Sequence, residues 1–160
     1  MAKFGFATIL ENYPVGYEYR GDNIPVHLTH VDSFQIDLSL EELEAKLQHA
    51  LADQKSFTVK ALRDEFYGPD KDIPVTVLEL TPELEELHAK IMDMLEAEGA
   101  FLKNPHFHRE GFMPHVSVYG SRRVGVGEDI LIKDVSIAAK LSEEENAMRR
   151  ILATIPLIEQ

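Results

Sequence analysis

Two tripeptides in the chain hold an imidazole and a hydroxyl two residues apart. One is His27-Leu28-Thr29 within PVHLT, and the other is His115-Val116-Ser117 within MPHVS. Each comes just after a proline and carries an apolar residue at its centre. Side chains alternate across a strand, so His and Thr or Ser point one way while Leu28 or Val116 points into a core. One such tripeptide is close to chance in a chain with seven histidines; two, one in each half and in matching contexts, form a signal. Two imidazoles and two hydroxyls brought face to face suit phosphodiester chemistry. A neutral His takes a proton from an attacking water or hydroxyl, and a protonated one gives a proton to the leaving oxygen. The hydroxyls donate hydrogen bonds to the non-bridging phosphate oxygens as charge builds on them. This scheme uses no metal, cofactor or covalent intermediate.

Other residues compete for roles. Arg122 and Arg123 follow the second tripeptide and are candidates for holding a substrate phosphate, against the plainer reading of a solvated turn. Tyr119 falls two residues after Ser117 and is a candidate for stacking on a base or bonding to phosphate; a core aromatic is the alternative. Phe6 and the Tyr13, Tyr17 and Tyr19 loop are further base-pocket candidates. His30 is three residues from His27, on the opposite strand face, and reads as structural or as a surface residue, with lining of the cleft as the alternative. His106 and His108 have the spacing of two metal ligands on an extended segment, with Glu110 and His115 as further donors. The plainer reading of that segment is a polar loop near a cleft mouth. His49 and His88 read as solvated helix residues.

The elements that must position these residues follow from the patterning. Residues 3–10 and 25–32 read as strands, with a loop over 11–24. Ser39 and Glu42 make a capping box, and Leu40, Leu43, Leu47 and Leu51 give helical spacing to about Asp53. Residues 56–66 and 72–80 read as a hairpin around Gly68-Pro69-Asp70. Thr81 caps a second helix with Pro82 at its first position. Leu84, Leu87, Ile91, Met94 and Leu95 form its buried stripe, and Gly99 ends it. Residues 100–113 read as irregular, 114–119 as a strand, 129–141 as one or two strands, and the segment MRRILATIPL as a closing strand. Two helices are too few for a doubly wound parallel sheet. The expectation is an α+β, bilobal fold: two duplicated α+β units with antiparallel sheets flanking a central cleft and helices outside.

Composition narrows the partners. The chain has 160 residues, with 16 Lys and Arg against 28 Asp and Glu, for a net charge of −12. That length suits one domain, here residues 1–160 in two lobes. The charge repels polyphosphate and argues against binding along extended nucleic acid. The absence of Cys excludes thiolate chemistry and fits a reducing compartment. No apolar run is long enough for a membrane span, and the glycine-broken N-terminal run reads as a strand and not a signal peptide. A cytoplasmic monomer without membrane contact is expected.

H-x-T and H-x-S on strands in two α+β halves resemble the 2H phosphoesterase superfamily, which includes 2′-5′ RNA ligase-like proteins and cyclic nucleotide phosphodiesterases. The likeness spans nearly the whole chain, from KFGFATIL to the closing strand. It implies His27 and His115 as the acid/base pair and Thr29 and Ser117 as phosphate binders. It implies a metal-independent phosphoesterase acting on a 2′,3′-cyclic phosphate or 2′-5′ phosphodiester of a small nucleotide or RNA end, with ligase-like activity as the reverse. The chain departs from the family's habit in having His30 right after the first motif, Ser in the second, and Tyr119 before Arg122. Two other readings stand beside it: a metal-dependent hydrolase using His106, His108 and His115, and a non-catalytic nucleotide- or RNA-end-binding module.

Overall fold

A computed structural model describes residues 2–160. The fold is α+β. Ten strands and two helices follow in the order β1 (Ala2–Ile9), β2 (Glu18–Arg20), β3 (His27–Ile36), α1 (Leu40–Ala50), β4 (Phe57–Tyr67), β5 (Ile73–Leu78), α2 (Pro82–Ala97), β6 (Phe101–Leu102), β7 (His115–Ser117), β8 (Asp129–Ile132), β9 (Asp134–Lys140) and β10 (Met148–Pro156). The strands form one sheet in the order β2-β10-β9-β1-β3-β7-β5-β4-β8, with β6 added beside β3. Every pairing of these strands is antiparallel.

The sheet has a narrow waist. Strands β3 and β7 meet at one residue pair, Leu28 opposite Val116. On one side of it lie β1, β2, β6, β9 and β10; on the other lie β5, β4 and β8. Lys133 alone separates β8, at one edge of the sheet, from β9 in the other half. The sheet therefore curls back on itself, and a bridge between Lys55 and Ile158 ties its two ends.

The helices start where the sequence places them. Ser39 and Glu42 form the reciprocal capping box, and Thr81 accepts a hydrogen bond from the Leu84 amide. Helix α1 ends at Ala50, earlier than the expected Asp53, and residues 51–53 form a turn. Gly99 follows α2 with φ of 71°, a conformation glycine adopts freely. Leu43 and Leu47 of α1 and Leu84, Leu87, Ile91 and Leu95 of α2 are buried in one core with Leu28, Val116, Ile132 and Ile137 of the sheet. The buried stripe of α2 includes Met92, while the expected Met94 is only partly buried.

Further expectations require correction. His88 is not a solvated helix residue; it is 3% exposed, stacked on Phe112 with 3.9 Å between ring centroids. The loop over 11–24 contains β2, and the first-motif strand continues to Ile36. Residues 100–113 contain β6 and two short 3-10 turns.

His30 is fully buried, as its place on the face opposite His27 requires. The Thr8 hydroxyl donates to the Asp134 carbonyl at 2.6 Å and so accepts from His30 Nε2 at 2.7 Å. This links β3, β1 and the start of β9. Burial, with the nearby His88, pushes His30 down to about 3. His88 is pushed down to about 4 by burial and then by His108, while its Nε2 accepts from the Arg109 amide at 3.0 Å. Both side chains are neutral in the folded protein and take up protons near pH 6.5 when it unfolds. Stability should therefore fall as pH drops below about 6.5, by about 1.4 kcal/mol per pH unit for each histidine until its folded value is reached. Urea melts at pH 7 and pH 5 check this, and equal midpoints would rule it out.

Candidate active site

The waist of the sheet builds the site. Leu28 and Val116 are 0% exposed and point into the core. Their neighbours His27, Thr29, His115 and Ser117 are all partly exposed, on the other face. With Leu28 opposite Val116 in an antiparallel pair, His27 falls beside Ser117 and Thr29 beside His115. The structure thus brings the four motif residues together as two cross-strand pairs, each an imidazole beside a hydroxyl.

Both imidazoles are anchored in the same way. His27 Nδ1 donates to the Pro25 carbonyl at 2.7 Å, and His115 Nδ1 donates to the Met113 carbonyl at 2.8 Å. Each bond reaches back two residues and fixes the Nδ1–H tautomer. In the neutral ring Nε2 then carries the lone pair, and it is the nitrogen left for exchanging a proton. Burial, and to a lesser extent the nearby His115 and Arg149, lower His27 below the usual 6.5, against the opposing pull of the Pro25 carbonyl. His115 is held by an edge-on contact with Tyr67, with 4.9 Å between ring centroids.

A cleft of about 420 Å³ opens beside His27 and Thr29. Its floor is made of small residues: Ala7 pairs with Thr29 across β1 and β3, and Gly5 pairs with Ala138 across β1 and β9. At Gly5 a Cβ would come within 3.3 Å of the Asp32 carbonyl. Tyr19, Arg149, Lys103 and Lys140 stand around the floor. The last three carry no local signal in the sequence. Arg149 and Arg150 look alike in MRRILATIPL, and only strand pairing shows which one shares a face with the cleft.

The other candidates fall in different places. Arg122 donates to Glu11 at 2.7 and 3.2 Å, to Asn23 at 2.9 Å and to the Ile24 carbonyl at 3.1 Å. Its guanidinium lies over the Tyr119 ring, 5.7 Å from the centroid. Arg123 is paired with Asp64 and donates to Thr76 at 3.0 Å. Both arginines are held by protein acceptors, and Arg122 ties the 11–24 loop to the turn after the second motif. The Glu11 carboxyl is lowered chiefly by its hydrogen bonds from Arg122. Tyr119 is half-buried against the core, and burial raises its phenol. Tyr13, Tyr17 and Tyr19 stack in sequence, with centroids 4.0 and 6.2 Å apart. Phe6 borders the cleft but is 1% exposed and packed against Phe34, which leaves its ring almost no surface for stacking on a base.

His106 and His108 do not converge. His106 is exposed, whereas His108 is buried and donates from Nε2 to Asp32 at 3.2 Å. Asn104 donates to the other Asp32 oxygen at 2.5 Å. Burial alone would raise the Asp32 carboxyl, but the His108 and Asn104 hydrogen bonds outweigh it and hold it below the usual range. Among the described residues no group of three or more His, Cys, Asp or Glu is arranged to hold a metal ion. This segment fastens the chain after β6 to β3.

The family model described as the 2′-5′ RNA ligase superfamily matches residues 7–133. No curated protein matches the chain significantly. Among solved structures, the chain is similar to TT0787 of Thermus thermophilus, with 14% identity, 99% of each chain covered and a TM-score of 0.64. It is similar to LigT of E. coli complexed with 3′-AMP, with 17% identity, 98% of each chain covered and a TM-score of 0.58. A structure described as a phosphoesterase shares 18% identity over 98% of each chain, with a TM-score of 0.59. These likenesses speak to the fold.

The two anchors make a direct prediction. Nitrogen-15 spectra of the imidazoles in their neutral form should show His27 and His115 as Nδ1–H tautomers. An Nε2–H signal from either ring would mean that its carbonyl bond is not made.

Proposed function

The chain belongs to the 2′-5′ RNA ligase superfamily, and from that premise we propose that it is a metal-independent, two-histidine phosphoesterase that opens 2′,3′-cyclic phosphates or 2′-5′ phosphodiesters at a nucleotide or RNA end. The observation that carries this reading is the pair of Nδ1-anchored imidazoles, each beside a hydroxyl, at the waist of the sheet. Phosphoesterase or RNA-ligase-like chemistry follows from the superfamily; the substrate and the roles of the residues are our reading.

His27, held neutral by burial, is the base in hydrolysis. Its Nε2 takes a proton from water as the water oxygen bonds to phosphorus. His115, in the more open position, gives a proton to the leaving ribose oxygen as its bond to phosphorus breaks. Thr29 and Ser117 donate to the non-bridging oxygens, whose added charge they stabilise. In the reverse, ligating direction the two imidazoles exchange roles. LigT of E. coli has been crystallised with 3′-AMP, with NADP+ and with ATP, and by likeness of fold a small nucleotide is the substrate class proposed here.

Nucleoside 2′,3′-cyclic phosphates test this. Wild type should hydrolyse them equally well with and without chelator. His27→Ala and His115→Ala should each lose about 10²- to 10⁴-fold in kcat. Loss with chelator would transfer the chemistry to a metal, and full activity in both alanine variants would end the two-histidine reading. Because a protonated His27 cannot act as base, the acid limb of kcat/KM should lie below pH 6.5, reflecting its lowered pKa. A limb at or above 6.5 would remove His27 from that role.

A further inference from the structure

The protein has seven arginines, and six of them are within ion-pairing distance of a carboxylate: Arg20, Arg63, Arg109, Arg122, Arg123 and Arg150. Among the described residues Arg149 is the exception, although the chain carries 28 acidic residues. Its Nη1 is buried with no hydrogen-bond partner. The head is packed where a Cβ on Gly21 would come within 2.8 Å of that nitrogen. The same side chain lines the cleft beside His27 and Thr29.

Arg149 does not stand alone. It is directly opposite Lys140 across β10 and β9. Like charges facing one another across strands destabilise a sheet. Lys103 and Lys3 line the same cleft. The acidic groups there are Glu143, which pairs with Lys3 at 3.0 Å, and Asp32, which is taken up by His108 and Asn104. Four cations against two carboxylates leave this cleft wall positive in a protein of net charge −12. A row of facing cations with a buried, unpartnered guanidinium nitrogen is a liability for the fold, and an anion relieves it.

We propose that Arg149, Lys140 and Lys103 form a second phosphate subsite, so that the substrate is an oligonucleotide end with a phosphate beyond the scissile one. This rests on the two-histidine reading and deepens it. The scissile phosphate lies between the two motifs, and the neighbouring phosphate of the strand runs along the cleft toward Arg149.

The test compares adenosine 2′,3′-cyclic phosphate with a diadenosine ending in the same cyclic phosphate. Wild type should prefer the dinucleotide by about tenfold or more in kcat/KM. Arg149→Ala and the exposed Lys140→Ala should each shrink that ratio at least fivefold, and Arg150→Ala, paired with Glu18 on the other face, should keep it. The Lys140 variant guards against misfolding of the Arg149 one. No preference in wild type, or equal losses on both substrates, overturns the subsite. If wild type turns over neither substrate, the phosphoesterase reading fails, and the subsite is then judged by binding of a 5′-phosphorylated short RNA. Affinity that drops in Arg149→Ala, with a shallower salt dependence, supports it, and unchanged affinity overturns it.

Discussion

The structure depends on one backbone pairing, Leu28 against Val116. It is the place where the two parts of the sheet join, and both side chains are fully buried. Burying each contributes about 2 kcal/mol, so the register is held by hydrophobic burial as well as by backbone hydrogen bonds. A slip of one residue in either strand would turn that strand's apolar side chain outward and its histidine into the core. The condition for a stable core and the condition for a complete site are therefore the same. Strand β5 reinforces it from the far side of β7, with Thr76 opposite Val116 and Val77 opposite His115.

Much of this was legible in the sequence because it rests on local rules. The caps at Ser39 and Thr81 and the alternation in His-x-Thr and His-x-Ser are short-range signals, and the helix starts and the outward-facing quartet follow from them. The family likeness supplied the pairing of two motifs far apart in the chain. Long-range facts were not legible. His88 is four residues after Leu84 and three before Ile91, so helical spacing sets it on the buried stripe although its polar type suggested solvent; what the sequence could not show is that Phe112 and His108 come from another segment to cover it. Arg122 and Arg123 stand next to the second motif in sequence yet turn to Glu11 and Asp64. Arg149 is far from either motif in sequence and is delivered to the cleft by the pairing of β10 with β9.

The acidic composition also takes on a structural meaning. Surface carboxylates neutralise most of the arginines, and such partly exposed pairs contribute little to stability, about 0 to 1 kcal/mol each. Their larger effect is to remove competing positive charge from the rest of the surface. Among the described residues Lys103, Lys140 and Arg149 on the cleft wall are not in such pairs, so positive charge gathers there within an otherwise acidic protein.

The shortness of the outermost strands has a consequence for the protein's behaviour in a crowded solution. Strand β2, at one margin, is three residues long, and β8, at the other, is four. An open margin exposes unpaired backbone groups that can recruit a strand from another molecule. Here β2 carries Glu18 and Arg20, with Arg150 clasped to Glu18, while the chain beside β8 is stitched down where Lys55 meets Ile158. A foreign strand would gain only a few hydrogen bonds at either margin and would have to displace charged side chains to make them. At these two margins a ten-stranded sheet, large enough to seed aggregates, thus offers little template.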